Sequence, residues 1–184
     1  MSITILGPRD KTPEGIAVIN TTTASKTWSK GLSPMLVSAK PVAKNIENLW
    51  QFSKVYKQHV DDNNKPTKEW EHWRKLGFED SWAHRYPMGK NAKPLYSMWK
   101  GQELGYIDAR EQIYIPEYAK AVVNTEAFRK LKELYTQERK IALWDFDGYN
   151  HDALNMTLEQ VVKCSGRKMG HAFVLKMLLL KETQ

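Results

Sequence analysis

The chain is poor in cysteine: Cys164 is the only one in 184 residues. A single thiol cannot form an internal disulfide, which excludes a disulfide-stapled scaffold and is typical of a cytoplasmic protein. It also cannot supply paired thiolates for zinc, and His59, His72 and His84 do not stand at the usual metal-binding spacings. We therefore expect neither a metal nor any other cofactor.

Long hydrophobic runs are missing as well. The most apolar stretch, 172–180, is interrupted by Lys176 and is far shorter than the roughly 20 residues that a membrane-spanning helix needs. The first residues do not combine a basic start with an apolar stretch, so we expect no secretory signal. With 41% hydrophobic and 27% charged residues, the composition predicts one cytoplasmic domain over 1–184. We expect it to enter no membrane, and its oligomeric state stays open.

Acidic residues are absent from two stretches, 15–46 and 81–102, each of which holds four positive charges in a chain of net charge +7. Both are rich in glycine, proline, serine and aromatic residues, so we expect loops. Positive charge beside rings such as Trp28 and Tyr86 is typical of surfaces that contact phosphates and bases, although core packing would also explain the rings. The second stretch carries four candidate phosphate contacts: Arg85, Lys90, Lys93 and Lys100.

The remaining pattern predicts a mostly helical α+β domain with a small sheet. Capping residues mark helix starts: Asn45 for a helix over 46–60, Thr67 for one that stops at Gly77, Thr125, and Thr157 with Gln160. Pro116 is placed to start another helix, 104–115 fits helix or extended chain, and the last helix is expected over 171–181. A basic, aromatic-rich loop or insertion is expected at about 62–102. Strands are expected in four apolar runs: Ile3–Leu6, Ile16–Asn20, Met35–Ser38 and Ile141–Trp144.

The first of these helices carries four polar or aromatic residues on one face. Glu47, Trp50, Gln51 and Lys54 are spaced i, i+3, i+4 and i+7, which places them along a single stripe. Such a stripe costs desolvation when it is buried, so it is either solvated or lines a polar pocket. An exposed helix with a weak Glu–Lys interaction is the simpler interpretation.

The stripe also resembles a known motif. Residues 47–54 match the pattern Glu-x-x-x-Gln-x-x-Lys of the NADAR (YbiA-like) N-glycosidase family at every fixed position. Further blocks resemble that family in the same order and at similar spacing between residues 28 and 180: 28–34, 106–114, 128–134 with 141–143, and Gly170 with the helix after it. The resemblance implies a YbiA-like fold.

Three departures indicate a divergent member. Asn48 stands where the family has a histidine, and 145–151 replaces the family's Asp-x-x-Trp-Gly-x-Gly turn with different residues. The segment 62–102 has no counterpart in the family.

The resemblance implies a hydrolase that cleaves an N-glycosidic bond, either removing ADP-ribose from guanine in nucleic acid or acting on riboflavin-pathway intermediates. Cleavage develops oxocarbenium character, which the carboxylate of Glu47 would stabilise unless it transfers a proton. Lys54 would form a Schiff base or contact a phosphate. Asp147 is the acid favoured at the turn, because Gly148 lets the chain bend there, although both Asp145 and Asp147 are equally typical of turn caps.

Other residues follow from the same blocks. The resemblance assigns substrate binding to six positions: Trp28, Ser33, Trp50, Gln51, Arg110 and Asp145. Arg167, within 166–170, would hold a phosphate at the start of the last helix, unless this segment is a plain loop. The basic stretches favour ADP-ribosylated nucleic acid over a flavin precursor. Two competing functions are a non-catalytic nucleic-acid-binding protein and an inhibitor or interaction protein that uses exposed rings as its contact surface.

Overall fold

A parallel sheet of three strands lies at the centre of the protein, whose computed structural model describes residues 2–182. Its strands are β1 (Ser2–Leu6), β2 (Ala17–Asn20) and β6 (Lys140–Trp144), with β6 between the other two. Leu143 is paired with Ile5 on one side and Ile19 on the other, and all three are buried. A parallel strand enclosed on both sides is apolar throughout, which is why 141–144 is recognisable in the sequence.

A second, antiparallel sheet is formed by β3 (Lys54–Val55), β4 (Tyr96–Trp99) and β5 (Gln102–Leu104), in that order. The helices pack around both sheets and share one hydrophobic core. They are α1 (Ser29–Leu32), α2 (Ile46–Phe52), α3 (Lys68–Glu79), α4 (Tyr106–Ala109), α5 (Ile115–Val122), α6 (Glu126–Glu138), α7 (Leu158–Lys163) and α8 (His171–Glu182). A π-helical turn, Arg110–Tyr114, joins α4 to α5. The α+β prediction is confirmed.

The predicted capping residues are confirmed. The side chains of Asn45, Thr67, Thr125 and Thr157 each accept a hydrogen bond from the backbone three residues ahead. Thr157 and Gln160 form the expected reciprocal capping box. Caps are recognisable in the sequence because the cap and the N–H groups that it satisfies are close neighbours in the chain.

Two of the predicted elements near α2 are wrong. The helix over 46–60 ends at Phe52, because Lys54 and Val55 pair with Ser97 and Tyr96 as a strand. The run Met35–Ser38 is no strand: the N–H groups of Leu36 and Val37 both turn back to the carbonyl of Ser33.

Gly77 does not stop α3, which continues to Glu79. A Cβ at this position would lie 2.0 Å from the Phe52 ring, so the glycine allows α3 to pack closely on α2. The segment 62–102 is also not a loop throughout, since it contains α3 and β4. Residues 113–115 are helical, which resolves the open alternative there. Within the described residues, no helix has both the length and the apolar character to span a bilayer.

Candidate functional site

A cavity of about 220 Å³ opens between α2, the helix 106–122, the chain after β6 and the start of α8. It is smaller than the roughly 300–1,000 Å³ that encloses a drug-sized ligand, so it suits a small group whose remainder lies outside. The cavity is lined by residues from these four regions and from the segments 22–35 and 85–86, among them Ser33, Glu47, Trp50, Gln51, Lys54, Arg85, Tyr86, Tyr106, Arg110, Tyr114, Asp145, Phe146, Asp147, Lys168 and His171.

The predicted stripe forms one wall of this cavity. Glu47 and Gln51 are each only 8% exposed, and Gln51 Nε2 donates to Glu47 Oε1 at 2.8 Å. Lys54 Nζ donates to Gln51 Oε1 at 2.7 Å and lies 5.0 Å from the centre of the Trp50 ring. Lys54 keeps these contacts although it lies beyond the end of α2. The stripe is therefore a buried relay of carboxyl, carboxamide and amine, and the exposed-helix interpretation is wrong.

Burial shifts the pKa values of both ends of the relay. It raises the pKa of Glu47, and the hydrogen bond from Gln51 and the charge of Lys54 offset only part of that rise. Burial also lowers the pKa of Lys54 to about 8, against the opposing charge of Glu47. The cavity thus favours the uncharged form of each group more than water does, and a neutral amine is accessible close to physiological pH.

A second buried carboxylate, Asp145, has the opposite character. Asp145 Oδ2 lies 3.1 Å from His171 Nδ1 and accepts the Ala172 N–H, and Oδ1 accepts the Asp147 N–H. His171 Nε2 lies 3.0 Å from the Thr21 carbonyl, so both ring nitrogens face acceptors and the ring is held as a cation. Although burial opposes both shifts, these contacts lower the pKa of Asp145 and raise that of His171.

This ion pair depends on a glycine. A Cβ at position 170 would lie 2.0 Å from Asp145 Oδ2, so only glycine lets the start of α8 approach the carboxylate. With its acceptor positions occupied, Asp145 organises the floor of the cavity, where the sequence predicted a substrate contact.

At the mouth of the cavity, two basic side chains contact one carboxylate. Asp147 Oδ2 accepts from Arg85 at 2.8 Å, and Asp147 Oδ1 lies 3.5 Å from Lys168 Nζ. The Arg85 guanidinium also lies between the exposed rings of Tyr86 and Phe146, at 5.5 and 5.8 Å from their centres. Asp147 therefore lies at the entrance as the partner of two cations, and a bound anion would compete with it for both.

Asn48 holds the chain that delivers Arg85. This fully buried side chain donates to the carbonyls of Asp80 and Trp82 and accepts from the N–H of His84. The residue that replaces the histidine of the resembled family therefore ties α2 to the segment before Arg85. Nothing in the sequence around Asn48 signals this contact, since its partners lie more than 30 positions away.

Arg110 does not offer its guanidinium to the cavity as predicted. The group is 1% exposed and donates to the carbonyls of Val161, Val162, Cys164 and Arg167 and to the Tyr106 hydroxyl. Most of these carbonyls belong to the C-terminal end of α7, where a positive charge is favourable. Arg110 thus fixes the chain that leads to Lys168. Its terminal N–H groups already donate to these carbonyls and to the Tyr106 hydroxyl.

The π-helical turn brings three residues of one helix to the same cavity. Tyr106, Arg110 and Tyr114 follow each other at intervals of four. In an α-helix this spacing drifts by about 40° per step. A π turn needs more residues per rotation and so offsets the drift, and such turns are frequent at functional sites. The repeat of polar residues at intervals of four is the only signal in the sequence that would have found Tyr114.

Most of the predicted site residues come together, and some do not. Glu47, Trp50, Gln51, Lys54, Ser33, Arg85, Arg110, Asp145 and Asp147 all line the cavity. Trp28 instead packs against the core. Lys90, Lys93, Lys100 and Arg167 are exposed on the surface outside it. The sequence analysis missed Tyr114, His171 and Lys168. Among residues 2–182 no group of three or more His, Cys, Asp or Glu side chains is arranged to hold a metal ion.

Comparison with known proteins gives one match. The model of a family of unknown function, DUF6939, matches residues 16–161. No curated protein and no solved structure matches the chain.

Proposed function

The chain belongs to DUF6939, a family of unknown function, so its activity has to be inferred from the site. We propose that it is a cytoplasmic N-glycosidase acting on a nucleotide-like substrate. One observation carries the proposal: a buried carboxyl of raised pKa is linked through Gln51 to an amine of pKa about 8 inside a small cavity. The resemblance of 47–54 to the NADAR pattern supports the same chemistry.

Glu47 is the proposed acid–base group. As the C1′–N bond breaks, its electron pair passes to the base nitrogen, and the proton of Glu47 neutralises the leaving base. The carboxylate that remains stabilises the positive charge that develops on the sugar. Water then adds to C1′ and returns a proton to Glu47, so the residue ends as it began. The raised pKa of Glu47 supports this role, because the acid must hold its proton at the start.

Lys54 is the proposed amine of the site. Its pKa of about 8 leaves a fraction neutral at physiological pH, which attack on a sugar carbon requires. In that route the amine displaces the base at C1′, the sugar ring opens to an imine, and water hydrolyses the imine to release the sugar. The alternative role, a contact to phosphate, needs the charged form. Trapping with borohydride separates the two roles: a covalent sugar adduct on Lys54 supports the imine route, and its absence supports the phosphate contact.

The cavity and its mouth support ADP-ribosylated guanine in nucleic acid as the substrate. A space of about 220 Å³ suits the sugar, while Arg85 and Lys168 lie where phosphates would remain outside. Lys90, Lys93 and Lys100 are exposed and follow Arg85 in a segment without acidic residues. A riboflavin-pathway intermediate would use the cavity but not these lysines.

The test is incubation with an oligonucleotide that carries ADP-ribose on guanine, followed by mass spectrometry. We expect the wild type to remove the adduct and Glu47→Gln to remove none. Glu138→Gln, an exposed change on α6, serves as the matched control and should be as active as the wild type. Retained binding without cleavage by the wild type would instead support a non-catalytic nucleic-acid-binding protein. Loss of both binding and cleavage would refute both functions.

A further inference from the structure

Tyr114 is a mostly buried residue whose hydroxyl is open to the cavity. The residue is 8% exposed and lines the cavity, and its hydroxyl has no hydrogen-bond partner among residues 2–182. The hydroxyl is reached from the open space of the cavity, since it is not one of the fully enclosed polar atoms that lack a partner. It is therefore available to hydrogen-bond a ligand bound there.

The neighbouring tyrosine shows the contrast. Tyr118 lies one turn further along the helix, and its ring stacks on that of Tyr114 at 6.2 Å and 9°. The Tyr118 hydroxyl donates to the Leu32 carbonyl at 2.6 Å and is fully used by the fold. Trp50 also contacts Tyr114, with ring centres 5.2 Å apart and planes at 58°. Because two rings pack on it, Tyr114 has little freedom to turn its hydroxyl away from the cavity.

Its protonation state defines what Tyr114 can do. Burial raises its pKa well above 10, and the charges of Asp145 and Glu47 act in the same direction. The hydroxyl is therefore neutral across the physiological range, and it both donates and accepts a hydrogen bond. It is not a base, so its role is recognition.

A second hydroxyl with the same property lies in the cavity. Ser33 is 2% exposed, and its Oγ also has no hydrogen-bond partner within the described chain. Two unengaged hydroxyls beside the Trp50 ring offer neutral hydrogen bonds next to an apolar face. A polyhydroxylated ring satisfies such a set, because its hydroxyls both donate and accept hydrogen bonds.

We propose that Tyr114 hydrogen-bonds a ring hydroxyl of ribose, so that the site selects ribose over its deoxygenated analogues. The inference rests on the proposed function for the identity of the ligand, but it concerns binding and not cleavage. A site built to bond a substrate hydroxyl discriminates strongly against the analogue without it, because the protein group is then left unpaired.

The test is calorimetric titration with ribose 5-phosphate and with its 2-deoxy and 3-deoxy analogues. Tyr114→Phe, which keeps the ring and removes only the hydroxyl, should weaken binding of ribose 5-phosphate about 3- to 10-fold. For the analogue that lacks the hydroxyl contacted by Tyr114, the same variant should show no further loss. The two changes are then non-additive, as expected for groups in direct contact.

Tyr118→Phe is the matched control. It removes a hydroxyl one turn away and should lower the stability of the fold while leaving the three dissociation constants unchanged. The proposal is overturned if ribose 5-phosphate does not bind, or if Tyr114→Phe binds it as tightly as the wild type. It is also overturned if Tyr114→Phe weakens the binding of all three sugar phosphates by the same factor. Binding that depends on Tyr114, without cleavage of any nucleotide conjugate, would uphold this inference and refute the glycosidase.

Discussion

Three carboxyl groups line one small cavity, and their surroundings give each a different state. Glu47 is buried with a single side-chain donor, so desolvation dominates and its pKa rises. Asp145 is buried equally deeply, but the charge of His171 and two backbone N–H groups lower its pKa. Asp147 lies partly exposed between two cations. The number and charge of the donors around a carboxyl decide whether burial keeps it protonated or ionised.

The pH dependence of turnover tests the state of the relay. If Lys54 reacts as a free amine, kcat should rise as the pH increases toward about 8, where half of the amine is neutral. Above that pH the amine is mostly neutral, so its contribution to the rate levels off. Lys54→Arg keeps the charge but cannot deprotonate, and we expect it to lower kcat by about 10²-fold or more.

Steady-state rates measured from about pH 6 to 10 give this profile. A flat profile through pH 8, together with near-normal activity of Lys54→Arg, would instead assign Lys54 to phosphate binding.

The Asp145–His171 pair predicts a pH-dependent stability. The folded pKa of His171 is raised above its ordinary value of 6.5, so its contribution is complete below pH 6.5 and is lost as the pH rises through the folded pKa. The folded pKa of Asp145 is lowered below 3.8, so its contribution is complete above pH 3.8 and is lost as the pH falls through the folded pKa. The pair therefore stabilises the fold most between about pH 3.8 and pH 6.5, the ordinary pKa values of the two groups.

Replacement of the histidine tests this window. His171→Asn should cost about 3–5 kcal/mol of unfolding free energy near pH 6, because it leaves Asp145 buried without its cation. The cost should shrink as the pH rises through the folded pKa of His171, where the wild type itself loses the cation. Urea unfolding at a series of pH values from about pH 6 upward measures the change, and a constant cost would show that the pair does not titrate as described.

Among the secondary-structure elements, α2 makes polar contacts from two of its faces. One carries the Glu47–Gln51–Lys54 relay into the cavity, and another carries Asn48 toward the segment 80–84. The same short helix thus positions the groups proposed to react and the chain that leads to Arg85. Because Asn48 bonds only backbone groups, it holds that segment whatever side chains the segment bears.

Removal of the Asn48 side chain should loosen the segment 80–84 and the chain that leads from it to Arg85. Asn48→Ala deletes three hydrogen bonds, which should cost about 2–4 kcal/mol of stability. It should raise KM more than it lowers kcat, because Arg85 lies at the mouth and not in the relay. Asn124→Ala, an exposed change before α6, is the control.

Hydrogen exchange of 80–86 measures the loosening directly. We expect faster exchange there in Asn48→Ala and unchanged exchange in α6. Unaltered protection of 80–86 would mean that other contacts hold the segment, and the proposed link between α2 and the mouth would fail.

The whole molecule separates a neutral cavity from a basic exterior. Inside, the charges are paired or suppressed by burial. Outside, Lys90 and Lys93 are exposed in a segment that begins at the mouth with Arg85 and contains no acid. Under the proposed function, such a distribution would attract a polyanion to the entrance and leave the charge outside the cavity.

Salt dependence tests this division. Replacement of both Lys90 and Lys93 by glutamine should lower the affinity for a single-stranded oligonucleotide and reduce the slope of log K against log salt by about 0.7 per lysine. Cleavage of a small nucleoside conjugate should be unchanged, because neither lysine lines the cavity.

The charge-matched control is Lys120→Gln with Lys140→Gln, on α5 and at the end of β6 that is remote from Asp145. An equal loss of slope in this control would show that net charge alone, and not the segment after Arg85, governs binding.

Local features of the sequence determined a large part of this protein. The caps at Asn45, Thr67, Thr125 and Thr157 and the buried strand before Asp145 could be read directly, because they depend on neighbours in the chain. The relay was also predictable for this reason: Glu47, Gln51 and Lys54 lie within eight residues, so their contacts need only one turn of helix and the step after it.

Only the tertiary structure decided the rest. The partners of Asp145, Asp147 and Arg110 come from distant parts of the chain, and no spacing in the sequence links them. Strand pairing across the second sheet, not helix propensity, ended α2 at Phe52. The unusual pKa values of Glu47 and Lys54 arise from burial, which is a property of the packed molecule. The sequence therefore determined which titratable groups stand together on α2 and just after it, whereas packing determined their pKa values and the cavity in which they meet.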